Sequence, residues 1–144
     1  MQNINLARVI GGGVVAGLTL TFVADTAMGL ALSYGIWWLS AIIDPIGHWT
    51  VIWQYGGINI ALGVVLVWLY AAIRPRFGPG VKTAVVAGVA AWIMGFLIPV
   101  LWIPGPETGS LAVTAWPLGY VASLFGVTVA TLGGAWVYQE DGEA

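Results

Sequence analysis

Arg74-Pro75-Arg76-Phe77-Gly78-Pro79-Gly80-Val81-Lys82 holds three of the four basic residues of this 144-residue chain, and a long apolar run borders it on each side. Two prolines and two glycines within it predict a turn, because proline lacks a backbone donor and these residues punctuate regular structure. Working outward, the flanking runs cover residues 54–73 and 83–103, and two more follow the same pattern at 9–33 and 117–138. Each is near the ~20 residues that a helix needs to cross a ~30 Å hydrocarbon layer. The fourth basic residue, Arg8, stands immediately before the first run. With both ends of the pattern returning to one side, all four basic residues fall on that side, and lysine and arginine beside spans favour the cytoplasm.

The expectation is an all-α, four-helix transmembrane bundle forming one integral membrane domain over residues 1–144, with both termini cytoplasmic. Composition agrees: 60% of residues are hydrophobic and 7% charged, too apolar for an ordinary soluble domain. A net charge of −2 without clustered basic residues excludes nucleic acid as a partner. The absence of cysteine removes disulfides, thiolate metal sites and cysteine nucleophiles together. Arg8 with the apolar run behind it and Gly29-Leu30-Ala31 has the outline of a secretory signal. The run's spanning length and the three further segments favour a first transmembrane helix instead.

Between the first two spans lie Tyr34, Trp37, Trp38, Trp49 and Trp53, interrupted by Asp44-Pro45. Indole and phenol rings collect at headgroup level, so this stretch reads as a short outer interfacial segment with an in-plane helix over 35–43. Trp102, Trp116 and Tyr120 extend the outer belt, Trp68, Tyr70, Trp136 and Tyr138 form an inner one, and Trp92 is left near mid-membrane.

Val14-Val15-Ala16-Gly17 recurs as Val85-Val86-Ala87-Gly88, and Trp68-Leu69-Tyr70 as Trp136-Val137-Tyr138. Two tandem helical hairpins related by an axis along the membrane normal would produce such a parallel repeat. Chance, in helices dominated by Val, Ala and Gly, also accounts for it.

Membrane helices associate through close backbone approach across small residues. Gly126, Ala130 and Gly134 give the last span a candidate packing face, with Gly13, Gly17 and Thr21 on the first span and Ala87, Ala91 and Gly95 on the third. Such faces serve either packing within the bundle or docking of another subunit.

Asp25 lies 17 positions beyond Arg8, about 25 Å along a helix. An acid at that depth is costly unless protonated, paired or wetted, and is a functional-site hypothesis by default. Asn59 and Ser123 reach a similar depth on their spans, and Pro99 frees a carbonyl there, so Asp25, Asn59 and Ser123 form a candidate intramembrane polar site. The simpler alternative is that Asp25 only fixes helix packing through Asn59. A lone acid without a second positioned group is a poor acid–base device, and the chain reads as non-enzymatic. His48 follows a turn at Asp44-Pro45-Ile46-Gly47, and one imidazole without further nitrogen or sulfur donors gives no ground for a zinc site. A single axial ligand to a porphyrin metal needs one residue, yet an exposed interfacial histidine suffices. No metal or cofactor is expected.

The run Trp68 to Trp92, WLYAAIRPRFGPGVKTAVVAGVAAW, resembles a segment of a family of uncharacterised small bacterial four-helix integral membrane proteins. Its most specific part is Ile73-Arg74-Pro75-Arg76-Phe77-Gly78-Pro79-Gly80 with Lys82-Thr83-Ala84, and the four-helix layout extends it loosely to the rest, apart from 34–53. The resemblance implies a bacterial inner-membrane protein and assigns no activity or binding residues. Together these readings lead to an accessory or packing subunit of a larger membrane complex, with the lipid bilayer and other subunits or further copies of the chain as partners. The alternative is a small transporter or lipophilic-ligand-binding protein using the polar layer around Asp25 and Asn59.

Overall fold

The computed structural model describes residues 4–33, 35–98 and 111–138, mostly helical, with no strand among them. Helix α1 (Leu6–Thr19) starts where Asn5 Oδ1 accepts the backbone N–H of Arg8 at 3.2 Å, a side-chain cap on an otherwise orphan donor. It passes through a π-helical segment (Leu20–Ala24) into α2 (Asp25–Leu32), which ends at Ser33 in the left-handed region. Helix α3 (Trp37–Ile43) is short and leads into the Asp44–His48 turn, where Asp44 Oδ1 accepts from the Gly47 N–H at 3.0 Å. A second long rod follows: α4 (Trp49–Val51), a π-helical segment (Ile52–Gly56) and α5 (Gly57–Phe77). Helix α6 (Val81–Trp92) continues as a third π-helical segment (Ile93–Leu97), and α7 (Leu111–Val137) closes the fold.

Among the described residues, three helices are long and apolar enough to cross a membrane: Leu6–Ala31, Trp49–Phe77 and Pro117–Val137. The expected third span, 83–103, corresponds to the shorter apolar helix Val81–Leu97, and its outer end lies outside the described residues. The second rod is longer than the expected 54–73 at both ends. At its start, Trp49 and Trp53 are already part of the helix, and their rings pack edge to face at 5.5 Å one helical turn apart. At its end, the chain stays helical through Arg74-Pro75-Arg76 to Phe77, where a turn was expected. Proline removes one ladder bond, but the Gly78 N–H still bonds the Arg74 carbonyl at 2.8 Å. The bend is made by Gly78 and Gly80, whose φ values of 80° and 112° strongly favour glycine. Two side chains lock it: the Tyr70 hydroxyl accepts from the Gly80 N–H at 3.1 Å, and Thr83 Oγ1 donates to the Gly78 carbonyl at 2.6 Å.

Small residues set the packing. Helix α1 lies closest to α5: a Cβ placed at Gly13 would stand 2.6 Å from Val64 Cα, and one at Gly17 2.6 Å from Ile60 Cα. Gly63 faces back onto Gly13 and Gly17, so both helices give way at the same place. Helix α7 packs against α1, α2 and α6, with Gly126 on Ala24, Gly134 on Ala16 and Val67, and Gly88 of α6 on Thr128 and Thr131. The fully buried side chains are correspondingly modest: Val9, Val67, Thr83 and Thr131, with Tyr138 the largest. Ile10, Phe22, Ile58, Val65, Phe125 and Trp136 all face outward and exposed.

Of the repeated motifs, Ala16 and Ala87 are both fully buried, beside Gly17 and Gly88 at close contacts within α1–α5 and α6–α7 respectively. Trp68 and Trp136 are exposed, whereas Tyr70 and Tyr138 are buried and meet edge to face at 6.1 Å.

Candidate functional site: a polar-walled cavity

Asp25 stands at the first position of α2, just where the π-helical segment hands back to regular helix. Asn59, two residues into α5, is buried and directed at it. Asn59 Nδ2 donates to Asp25 Oδ2 at 2.7 Å and to Thr21 Oγ1 at 3.1 Å. Thr21 in turn donates to the Gly17 carbonyl at 3.2 Å, within its own helix. That last bond fixes the amide's orientation. With its hydrogen committed to Gly17, the threonine oxygen only accepts, so the nitrogen of Asn59 must be the atom that faces it.

Ser123 is buried on α7 but belongs to a second cluster. Its Oγ receives the indole N–H of Trp92 at 2.8 Å and donates to the Tyr120 carbonyl at 3.0 Å. The rings of Trp92 and Tyr120 meet edge to face at 6.5 Å. The expected single layer is therefore two hydrogen-bonded groups, one held between α1–α2 and α5 and one between α6 and α7. Pro99, the fourth expected contributor, lies outside the described residues.

Both groups line one cavity of about 450 Å³. Asp25, Asn59 and Ser123 supply polar wall, and Leu66, Met94 and Gly95 are among the apolar residues around them. The π-helical segments Leu20–Ala24 and Ile93–Leu97 both contribute lining residues. A π turn widens a helix by one residue and recurs at functional sites. Exposed Leu62, Val65 and Met94 mark where the cavity meets the outside, between α5 and the π-helical end of the third rod.

The packing face Gly126, Ala130 and Gly134 is turned inward, with Ala130 fully buried. Of the matching face on the third rod, Ala87 is buried, whereas Gly95 is exposed with nothing within 4 Å of where its Cβ would be. His48 Nδ1 lies 2.9 Å from the Asp44 carbonyl and closes the local turn. Among the described residues no three His, Cys, Asp or Glu side chains gather as a metal site.

Two residues that sequence reasoning passed over matter here. Trp92 is the one tryptophan outside the expected interfacial belts, and that displacement is itself the signal of a half-buried indole needing a partner. Arg74, expected in an exposed turn, is 6% exposed with its guanidinium 5.8 Å from the centre of the Tyr138 ring. Compared with protein-family models, with curated proteins and with solved structures, the chain matches none.

Proposed function

We propose that the chain is a non-enzymatic four-helix membrane protein that binds a lipophilic small molecule in the cavity bordered by Asp25, Asn59 and Ser123. The observation that carries this reading is a mostly apolar cavity of about 450 Å³ with three polar side chains in its wall, within the ~300–1,000 Å³ typical of small-molecule sites. Val81–Leu97, the shorter apolar helix, belongs to the remaining span of the four. Both termini and the 74–82 segment face the cytoplasm of a bacterial inner membrane, in keeping with the basic-residue distribution and the resemblance over 68–92. The matched burial of the two repeated motifs supports two tandem hairpins.

An environment-sensitive anthracene fluorophore, titrated into the purified protein in nanodiscs, tests the site. Saturable enhancement is expected for the wild type and is lost in Gly95→Phe, whose new side chain starts in open space beside the cavity. Equal enhancement in protein, variant and empty nanodiscs refutes it.

The second reading, an accessory subunit docking other chains, draws on Gly56 and Gly57, which have open space where a Cβ would stand. Its test is whether Gly57→Leu removes a partner that co-purifies from the source membrane.

A further inference from the structure

The hydrogen bonds inside the cavity wall restrict what the bound molecule must offer. An amide nitrogen carries two hydrogens, and Asn59 commits one to Thr21 and one to Asp25. What its side chain has left is the carbonyl oxygen, an acceptor. A serine hydroxyl has one hydrogen and two lone pairs. Ser123 commits the hydrogen to the Tyr120 carbonyl and one lone pair to the Trp92 indole, which again leaves an acceptor. Asp25 accepts from Asn59 at Oδ2, and a carboxylate has about four acceptor positions in all. Asn59 and Ser123 thus share one kind of remaining capacity, and Asp25 is a third wall group of accepting character. Charge adds a second constraint. The basic residues Arg8, Arg74, Arg76 and Lys82 sit at the opposite ends of the rods, about 25 Å from Asp25 along the first of them, so the carboxylate sets the field at the cavity.

From this we infer that the cavity selects a molecule with a hydrogen-bond-donating cationic head on an apolar body, a primary amine of aliphatic or aromatic type. The inference rests on the ligand-binding reading above and names its ligand class. A primary ammonium, charged at neutral pH as a lysine side chain is, carries three donors for the accepting groups of this wall, while the apolar body occupies the space beside Leu66 and Met94. A head that only accepts finds no donor on these three side chains, and the indole of Trp68, also in the lining, is 49% exposed.

The test uses the full chain in nanodiscs and four radiolabelled probes sharing one twelve-carbon body: dodecylamine, dodecanol, dodecyl methyl ether and dodecyltrimethylammonium. Saturable binding above empty nanodiscs is expected in the order amine, alcohol, ether, with the trimethylammonium well below the amine because it carries the charge without a donor. Asp25→Asn preserves an acceptor for Asn59 and removes the charge. It should weaken the amine by about tenfold or more, the range for a hydrogen bond to a charged group, and leave the alcohol nearly unchanged. Gly95→Phe should abolish binding of every probe. If ether or trimethylammonium binds as well as the amine, and Gly95→Phe still abolishes it, the donor-head inference falls while the cavity stands. If no probe binds above empty nanodiscs, the ligand-binding reading itself falls and takes the inference with it. Should Asp25→Asn fail to fold, Ser123→Ala provides the second variant, with a loss of amine affinity expected and an unchanged amine affinity counting against the inference.

Discussion

Asn59 ties α5 to the first rod through a single amide, and its two bonds reach residues one helical turn apart, Thr21 and Asp25. Replacing it with leucine keeps the bulk but removes the donor that buried Thr21 and half-buried Asp25 accept from. Asn59→Leu should cost about 1–3 kcal/mol, the penalty for an unsatisfied buried polar group, seen as a lower unfolding midpoint in detergent. An unchanged midpoint would mean that the cluster adds nothing to stability. Arg74 belongs to a different end of the fold, stacked over the Tyr138 ring. Arg74→Lys retains the charge and loses the planar group, so the protein should be less stable than the wild type, whereas a mere topology anchor would tolerate the exchange. Counting positions along helices put Asp25 and Asn59 at one level, and their side chains are bonded. The same counting placed Ser123 beside them and missed its pairing with Trp92, because depth is a property of one helix and rotation about its axis is set by its neighbours.

Glycines decide how closely the elements approach, and their roles differ in sign. A methyl group at Gly63 would run into the backbone of Gly13 and Gly17, so neither side can move aside without shifting a helix. Gly63→Ala should therefore destabilise the protein by about 1–3 kcal/mol, as overpacking usually does. Gly11, on the same helix as Gly13, has nothing within 4 Å of that position. Gly11→Ala should be neutral or stabilising by up to about 1 kcal/mol through helix propensity alone. Thermal melts of the two variants side by side check the contrast, and equal effects would sink it. Ala130→Leu adds a longer side chain at a fully buried position of α7 and should be more damaging than Gly63→Ala. The faces that bear these residues were readable from spacing-four patterns. Which face meets which partner was not, and neither was the helical continuation through Pro75 to Phe77.

For the whole molecule, reporter fusions after residues 8, 78 and 144 should read cytoplasmic, and fusions after 46 and 108 should read external. One reproducible reversal would overturn the proposed four-span topology. The amino-acid sequence determined that this chain is helical and apolar enough to cross a membrane, because length and hydropathy of a segment are local quantities that lipid reads directly. It also determined where polar side chains occur along each rod. Only the tertiary structure decided that two hydrogen-bonded clusters face one cavity, that the small residues of α7 are used inside the chain, and that the tyrosines of the repeated motifs pair while their tryptophans turn outward. The physical reason is that lipid is as apolar as leucine, so hydrophobicity does not choose between the sides of a membrane helix. Steric fit and hydrogen bonding choose, and both exist only once the helices have met.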